Sequence, residues 1–175
     1  MIIPRITKPY EPGLPALGDD LENYLVTAGG SVTLKLEPGD KFKIINLEGL
    51  QQAELVAFNS KGECSLSPLS LKSEHNGELT KKILTSNEES AQIAFSKLKR
   101  LGHEVNSINQ SVLVFSKEAQ ANSIEEFESN DSSICIISAP GETEITHKNI
   151  PASELRVIVH DLEKEQKESF YYLIL

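Results

Sequence analysis

Val32-Thr33-Leu34-Lys35-Leu36-Glu37-Pro38-Gly39-Asp40-Lys41-Phe42-Lys43-Ile44-Ile45-Asn46-Leu47 is the stretch whose reading decides the fold. Val32, Leu34 and Leu36 alternate with Thr33 and Lys35, so an extended segment here has one apolar face and one wet face. Pro38 presets the torsion of a turn's second position and Gly39 tolerates positive φ at the third, which predicts a type II turn over Glu37 to Asp40. Phe42 to Leu47 is then expected as the partner strand.

Working outward, a second turn around Glu48-Gly49 leads into Gln51 to Phe58, where apolar residues fall on both parities, as in a strand buried on most of both faces. Ser60 to Glu78 is polar, with turn signals at Lys61-Gly62 and Asn76-Gly77, and reads as loops with one short strand at Ser65 to Leu71. Ser86 and Glu89 have the spacing of a capping box. Ala91, Ala94, Phe95, Leu98 and Leu101 follow at helical spacing, and Gly102 supplies the stop. Ser111 to Phe115, Ile134 to Ser138 and Leu155 to Val159 are short runs rich in Val, Ile and Leu, expected as strands. The acidic stretch Glu118 to Asp131 is assigned a second, shorter helix.

Pro4, Pro9, Pro12 and Pro15 forbid helix near the start, so residues 1–28 are expected as a proline-rich arm and 29–175 as one β-rich domain. The apolar run Phe170 to Leu175 is either a docked strand or the boundary before a further module. Few helices separate the strands, which favours a mainly β, α+β fold with one or two helices and an antiparallel or mixed barrel-like sheet.

Composition narrows the function. With 17 basic and 26 acidic side chains among 175 residues, the formal charge of −9 opposes nucleic acid and anionic membrane surfaces as partners. No apolar run reaches membrane-spanning length and Met1 to Arg5 lacks a secretory layout, so the cytoplasm is the expected location. Cys64 and Cys135 are too few for a disulfide framework, and the pattern fits small, partly buried apolar residues.

His75, His103, His147 and His160 show no metal-ligand spacing, so no metal is expected. A Gly-x-Ser-x-Gly elbow and a glycine-rich phosphate cradle are both missing. Gln51, Gln52, Glu54 and Asn59 bring polar groups into an otherwise buried strand. Each must find a partner, water or a ligand, because an unpaired buried amide or carboxylate costs a few kcal/mol. Two readings stay open at this point, polar residues on an edge strand or a ligand pocket, and a C–N bond enzyme would use Glu54 as base with Cys64 or His103 as nucleophile or metal ligand.

Gly39-Asp40, Ile44-Ile45-Asn46-Leu47-Glu48-Gly49-Leu50-Gln51-Gln52-Ala53-Glu54-Leu55 and Phe58-Asn59 resemble the urea carboxylase-associated (urea amidolyase-associated) protein family. Thr85-Ser86-Asn87 resembles a block before that family's helix, and Ser138-Ala139-Pro140-Gly141 through Pro151-Ala152-Ser153-Glu154-Leu155 is similar to the closing block of its aminomethyltransferase-linked members. In those members such a domain precedes a folate-dependent module similar to the glycine cleavage T-protein. The resemblance implies an accessory module that binds a small amine or amide through Gln51, Glu54 and Asn59, with His103 a further candidate. It also implies a T-protein-like partner in cis or in trans, and tetrahydrofolate only through that partner. Asn46 and Glu54 stand where the family commonly has Asp, and no His-Asp with a following Cys accompanies His103. A plain interaction domain, pairing through Phe170 to Leu175, is the remaining alternative.

Overall fold

In the computed structural model, which describes residues 21–141 and 154–160, the alternating segments form eight strands, all paired antiparallel. Sheet A has the order β1 (Leu21–Val26), β8 (Leu155–His160), β3 (Lys41–Asn46), β6 (Ser123–Glu128). Sheet B has the order β2 (Ser31–Leu36), β7 (Ser133–Ser138), β4 (Ala53–Phe58), β5 (Val112–Val114). Helices α1 (Glu78–Leu84) and α2 (Glu89–Arg100) complete the described body. The class is mainly β with two helices, and the strands divide into two four-stranded sheets without closing into a barrel.

Two apolar layers explain this arrangement. Phe42, Ile44, Leu155 and Val157 of sheet A meet Leu34, Leu36, Leu55 and Ile137 of sheet B in one core between the sheets. On the far side of sheet B, Val56, Phe58, Ile134 and Ile136 pack against Leu84, Ala94 and Leu98 of the helices. Strands β4 and β7 therefore have no wet face, and all six residues of each are buried. Thr33 on the helix side donates its hydroxyl to the Ala94 carbonyl at 3.0 Å, which satisfies a polar group under α2.

The turn over Glu37 to Asp40 forms as expected, with Gly39 at φ 94° and the Asp40 N–H donating to the Glu37 carbonyl at 3.0 Å. Its two strands, however, do not pair with each other. β2 pairs with β7, while β3 pairs with β8 and β6, so the turn carries the chain from one sheet to the other. Both strands carry apolar faces, and these meet across the sandwich instead of sharing one sheet.

Other expectations change for physical reasons. The acidic stretch Glu118 to Asp131 holds β6, not a helix. Glu128 and Glu126 lie opposite Lys41 and Lys43, Lys41 reaches Glu128 at 3.7 Å, and Phe127 stacks on Phe42 with ring centroids 5.0 Å apart. Cross-strand charge and ring pairs of this kind favour a strand. The second helix is instead α1, whose buried Thr80, Ile83 and Leu84 share one face. Ser65 to Leu71 contains a single 3-10 turn, Ser67–Leu69, with Pro68 in its first turn. Ser86 makes no capping box: α2 starts after Glu88, whose N–H donates to the Ser86 hydroxyl at 3.2 Å. The expected stop at Gly102 is present, with φ 89° and its N–H donating to the Lys99 carbonyl while that of His103 reaches Leu98, the Schellman arrangement. Leu21–Val26, at the end of the stretch assigned to the arm, is an edge strand paired with β8. Residues 1–20 and the run Phe170 to Leu175 lie outside the described residues.

Leu55 is fully buried between the sheets, whereas Ile93 on α2 is 63% exposed. Leu55→Ala is expected to lower stability by about 2–5 kcal/mol, and Ile93→Ala by less than about 0.5 kcal/mol, in urea unfolding monitored by circular dichroism.

Candidate functional site

Strand β4 carries Glu54 onto the helix side of sheet B, the same side as Val56 and Phe58. Its side chain is buried at 3% exposure. One carboxylate oxygen accepts the Thr80 backbone N–H at 2.6 Å and the other accepts the Ser111 hydroxyl at 2.8 Å. The Ser111 oxygen in turn accepts the Gly77 N–H at 2.9 Å. This carboxylate thus ties β4 to the first turn of α1 and to the residue before β5. Gly77 is required at that junction: its φ is 77°, and an added Cβ would lie 2.2 Å from the Ile108 side chain. Next to Glu54 in register is Ser138, whose hydroxyl pairs with Ser31 at 2.6 Å. The Thr80 hydroxyl is buried with no hydrogen-bond partner among the described residues.

Gln51 lies just before β4, at 1% exposure, and its carbonyl accepts the Asn46 side-chain amide at 2.7 Å. The Asn46 side-chain oxygen accepts the Gly49 N–H at 3.0 Å, so a buried asparagine shapes the β3–β4 loop. Gln52 donates to the Phe115 carbonyl at 3.0 Å. Leu50 and Phe115 both have positive φ, at 61° and 69°, which concentrates backbone strain where these two loops meet.

Asn59 begins the turn after β4. Its side-chain oxygen accepts the N–H groups of Lys61 and Glu63, both at 3.0 Å, and its amide donates to the Glu63 carboxylate. His103 follows α2 and packs on Phe58 with ring centroids 4.4 Å apart, and this burial holds its imidazole below the usual value. Glu54 and Asn59 are five positions apart on an extended chain, which separates them by roughly 16 Å. The four candidates therefore occupy three places: Gln51 with the strained loops, Glu54 under α1, and Asn59 with His103 at the opposite end of β4.

Cys64 sits near that last place, accepting the Asn109 N–H at 3.4 Å and facing the Gln110 carbonyl at 3.6 Å. Cys135 is fully buried in the core, and burial pushes its thiol up to about 12. Among the described residues no three of His, Cys, Asp and Glu come together as metal ligands. A groove of about 470 Å³ crosses the outer face of sheet A, lined in part by Lys41, Lys43, Glu126, Glu128, Ile158 and His160, away from all four candidates. The partners Thr80 and Ser111 carried no signal in the sequence: Thr80 lies in a stretch assigned no element, and Ser111 only opens an expected strand, with nothing local linking either to Glu54.

No protein-family model matches the chain. Over 147 residues, 80% of its length, it is 30% identical to a protein of Ruegeria pomeroyi named trimethylamine-oxide aldolase, of which the match covers 18%. The chain thus spans less than a fifth of that curated relative. It is also similar to the crystal structure of a DUF1989 family protein from Silicibacter pomeroyi, with a TM-score of 0.51 and 13% identity over 91% of this chain and 90% of that one. At that identity the likeness concerns the fold. No described helix is long and apolar enough to cross a membrane.

Two substitutions probe this strand. Glu54→Gln keeps the shape but removes the charge that both donors address, and is expected to cost about 1–3 kcal/mol in urea unfolding. The His103 imidazole has a folded value below its ordinary 6.5. The unfolded chain therefore takes up the proton first as pH falls. The contribution of this group is fully present above about pH 6.5 and is lost as pH drops through the lower folded value. Urea midpoints measured from about pH 7.5 to about pH 5 should fall less steeply in His103→Phe, which keeps a ring on Phe58 but does not titrate.

Proposed function

We propose that the chain is an accessory, small-amine-handling module that works beside a folate-dependent aminomethyltransferase, in cis or in trans, and carries no reaction centre on the Gln51 to Asn59 segment. The observation that carries this reading is the Glu54 carboxylate, whose two oxygens are engaged by Thr80 and Ser111 of the same chain. A general base needs an accessible lone pair within hydrogen-bond reach of its substrate. Here the best candidate for that role holds a helix to a sheet. The small-amine element is supported by the relative's name, trimethylamine-oxide aldolase, and the modular element by the small share of that protein that the chain matches. The aminomethyltransferase and tetrahydrofolate elements rest on the resemblance of the stretch from Ser138-Ala139-Pro140-Gly141 through Pro151-Ala152-Ser153-Glu154-Leu155 to the closing block of transferase-linked members, with folate held by the transferase.

A small enzyme acting on a carbon–nitrogen bond is the second reading, favoured by the fact that the relative bears an enzyme's name. Consumption of trimethylamine oxide, followed by proton NMR, separates the two. The accessory reading expects no consumption by the isolated chain, together with shifts of its amide resonances on adding trimethylamine oxide or a T-protein-like transferase. Turnover by the chain alone, abolished in Glu54→Gln with the fold retained by circular dichroism, would overturn it in favour of the enzyme.

A further inference from the structure

Asn76-Gly77, marked in the sequence as a turn, is the only Asn-Gly pair in the 175 residues. In an open chain this pair readily loses ammonia, because a glycine after asparagine leaves its main-chain nitrogen unshielded and free to turn. Here the two residues have different surroundings. Asn76 is exposed, while Gly77 is buried and caps the start of α1 with φ 77°. Ser111 grips the chain on both sides of Asn76. Its main-chain N–H donates to the His75 carbonyl at 2.9 Å, and its carbonyl accepts the His75 N–H at 3.0 Å. Its side-chain oxygen accepts the Gly77 N–H at 2.9 Å, and the same hydroxyl donates to Glu54 at 2.8 Å. The Ile108 side chain closes over Gly77 so tightly that an added Cβ would lie 2.2 Å from it.

We propose that Asn76 is a latent deamidation site, silent while Ser111 holds the Gly77 nitrogen and open to reaction once the junction between α1 and β5 loosens. The chemistry is a ring closure followed by hydrolysis. The Gly77 amide gives its proton to solvent base, and its nitrogen attacks Cγ of Asn76. An N–Cγ bond forms, the bond from Cγ to the side-chain nitrogen breaks, and that nitrogen leaves with a proton as ammonia. Water then opens the cyclic imide at either carbonyl and leaves an aspartate or an isoaspartate linkage. The sum is amide plus water giving carboxylic acid plus ammonia, with no oxidant or reductant.

In the folded chain the first step meets two obstacles. The proton that must leave is the one shared with Ser111, and freeing the nitrogen breaks that hydrogen bond inside a buried junction, where water does not replace it. The product has a structural effect as well. An isoaspartate linkage routes the main chain through the side-chain carbon and lengthens it between two points that Ser111 fixes. His75 and Gly77 then cannot both keep their bonds to Ser111, whose hydroxyl also holds Glu54. A passing opening of this junction is thereby made permanent. The site rests on none of the functional readings given above.

The intact chain is incubated in warm, mildly alkaline buffer with and without denaturing urea, and peptide mass spectrometry follows the gain of about 1 Da at Asn76. Native Asn76 is expected to react at least about tenfold more slowly than in urea, as for a group released only by opening. Ser111→Ala, with its fold checked by circular dichroism, is expected to raise the native rate at least about threefold, and Leu55→Ala, which leaves Ser111 in place, by less than about twofold. A native rate equal to that in urea, or one that Ser111→Ala leaves unchanged, would overturn the proposal. Equal acceleration by Leu55→Ala would do so too, because the reaction would then follow global unfolding. Should Ser111→Ala not fold, hydrogen exchange of the unmodified sequence decides. Gly77 exchange and Asn76 deamidation are expected to rise together in urea below the unfolding transition, and deamidation that rises while Gly77 stays protected would sink the idea.

Discussion

Covering sheet B on both faces is the constraint on which the rest of this structure depends. Once sheet A packs on one side and the helices on the other, β4 and β7 have no side open to water. Every polar group placed in those strands then needs a partner supplied by the protein, because water no longer competes for it. Glu54 meets this condition with Thr80 and Ser111, and Ser138 meets it with Ser31. The short helix α1 is positioned by the same condition: its first turn supplies one donor, and Gly77 lets the chain approach closely enough to do so.

Much of this architecture is legible from alternation alone. β2, β3, β4, β7 and β8 are marked by their Val, Ile and Leu patterns, and α2 by a full three turns of apolar spacing ending at Gly102. β1 is harder to see, because Glu22, Asn23 and Tyr24 are ordinary loop residues until β8 pairs with them. β6 is hidden by its acids, whose compatibility with a strand depends on Lys41 and Lys43 across the sheet, more than 80 residues back in the chain. α1 has seven residues, too few for periodicity to be distinguished from chance.

The candidate site follows the same division. Polar residues in and beside an apolar strand single out Gln51, Glu54 and Asn59, of which the structure buries Gln51 and Glu54 and leaves Asn59 part-exposed. What satisfies Glu54 comes from 26 and 57 residues away, and nothing local in the sequence points there. Asn59 is the opposite case, since its partners Lys61 and Glu63 lie within the next four residues. A side chain that closes its own turn in this way is local structure first, whatever ligand approaches it later.

The pairing of Leu21 with His160 has a mechanical consequence. Leu21 opens β1 and His160 closes β8, so the two ends of the sandwich lie side by side on antiparallel neighbours. A force applied between them does not shear all the β1–β8 hydrogen bonds at once but opens them in succession, one rung at a time, as a zipper does. Tension between these two points would therefore peel β1 from the edge of sheet A while sheet B and its helices stayed packed.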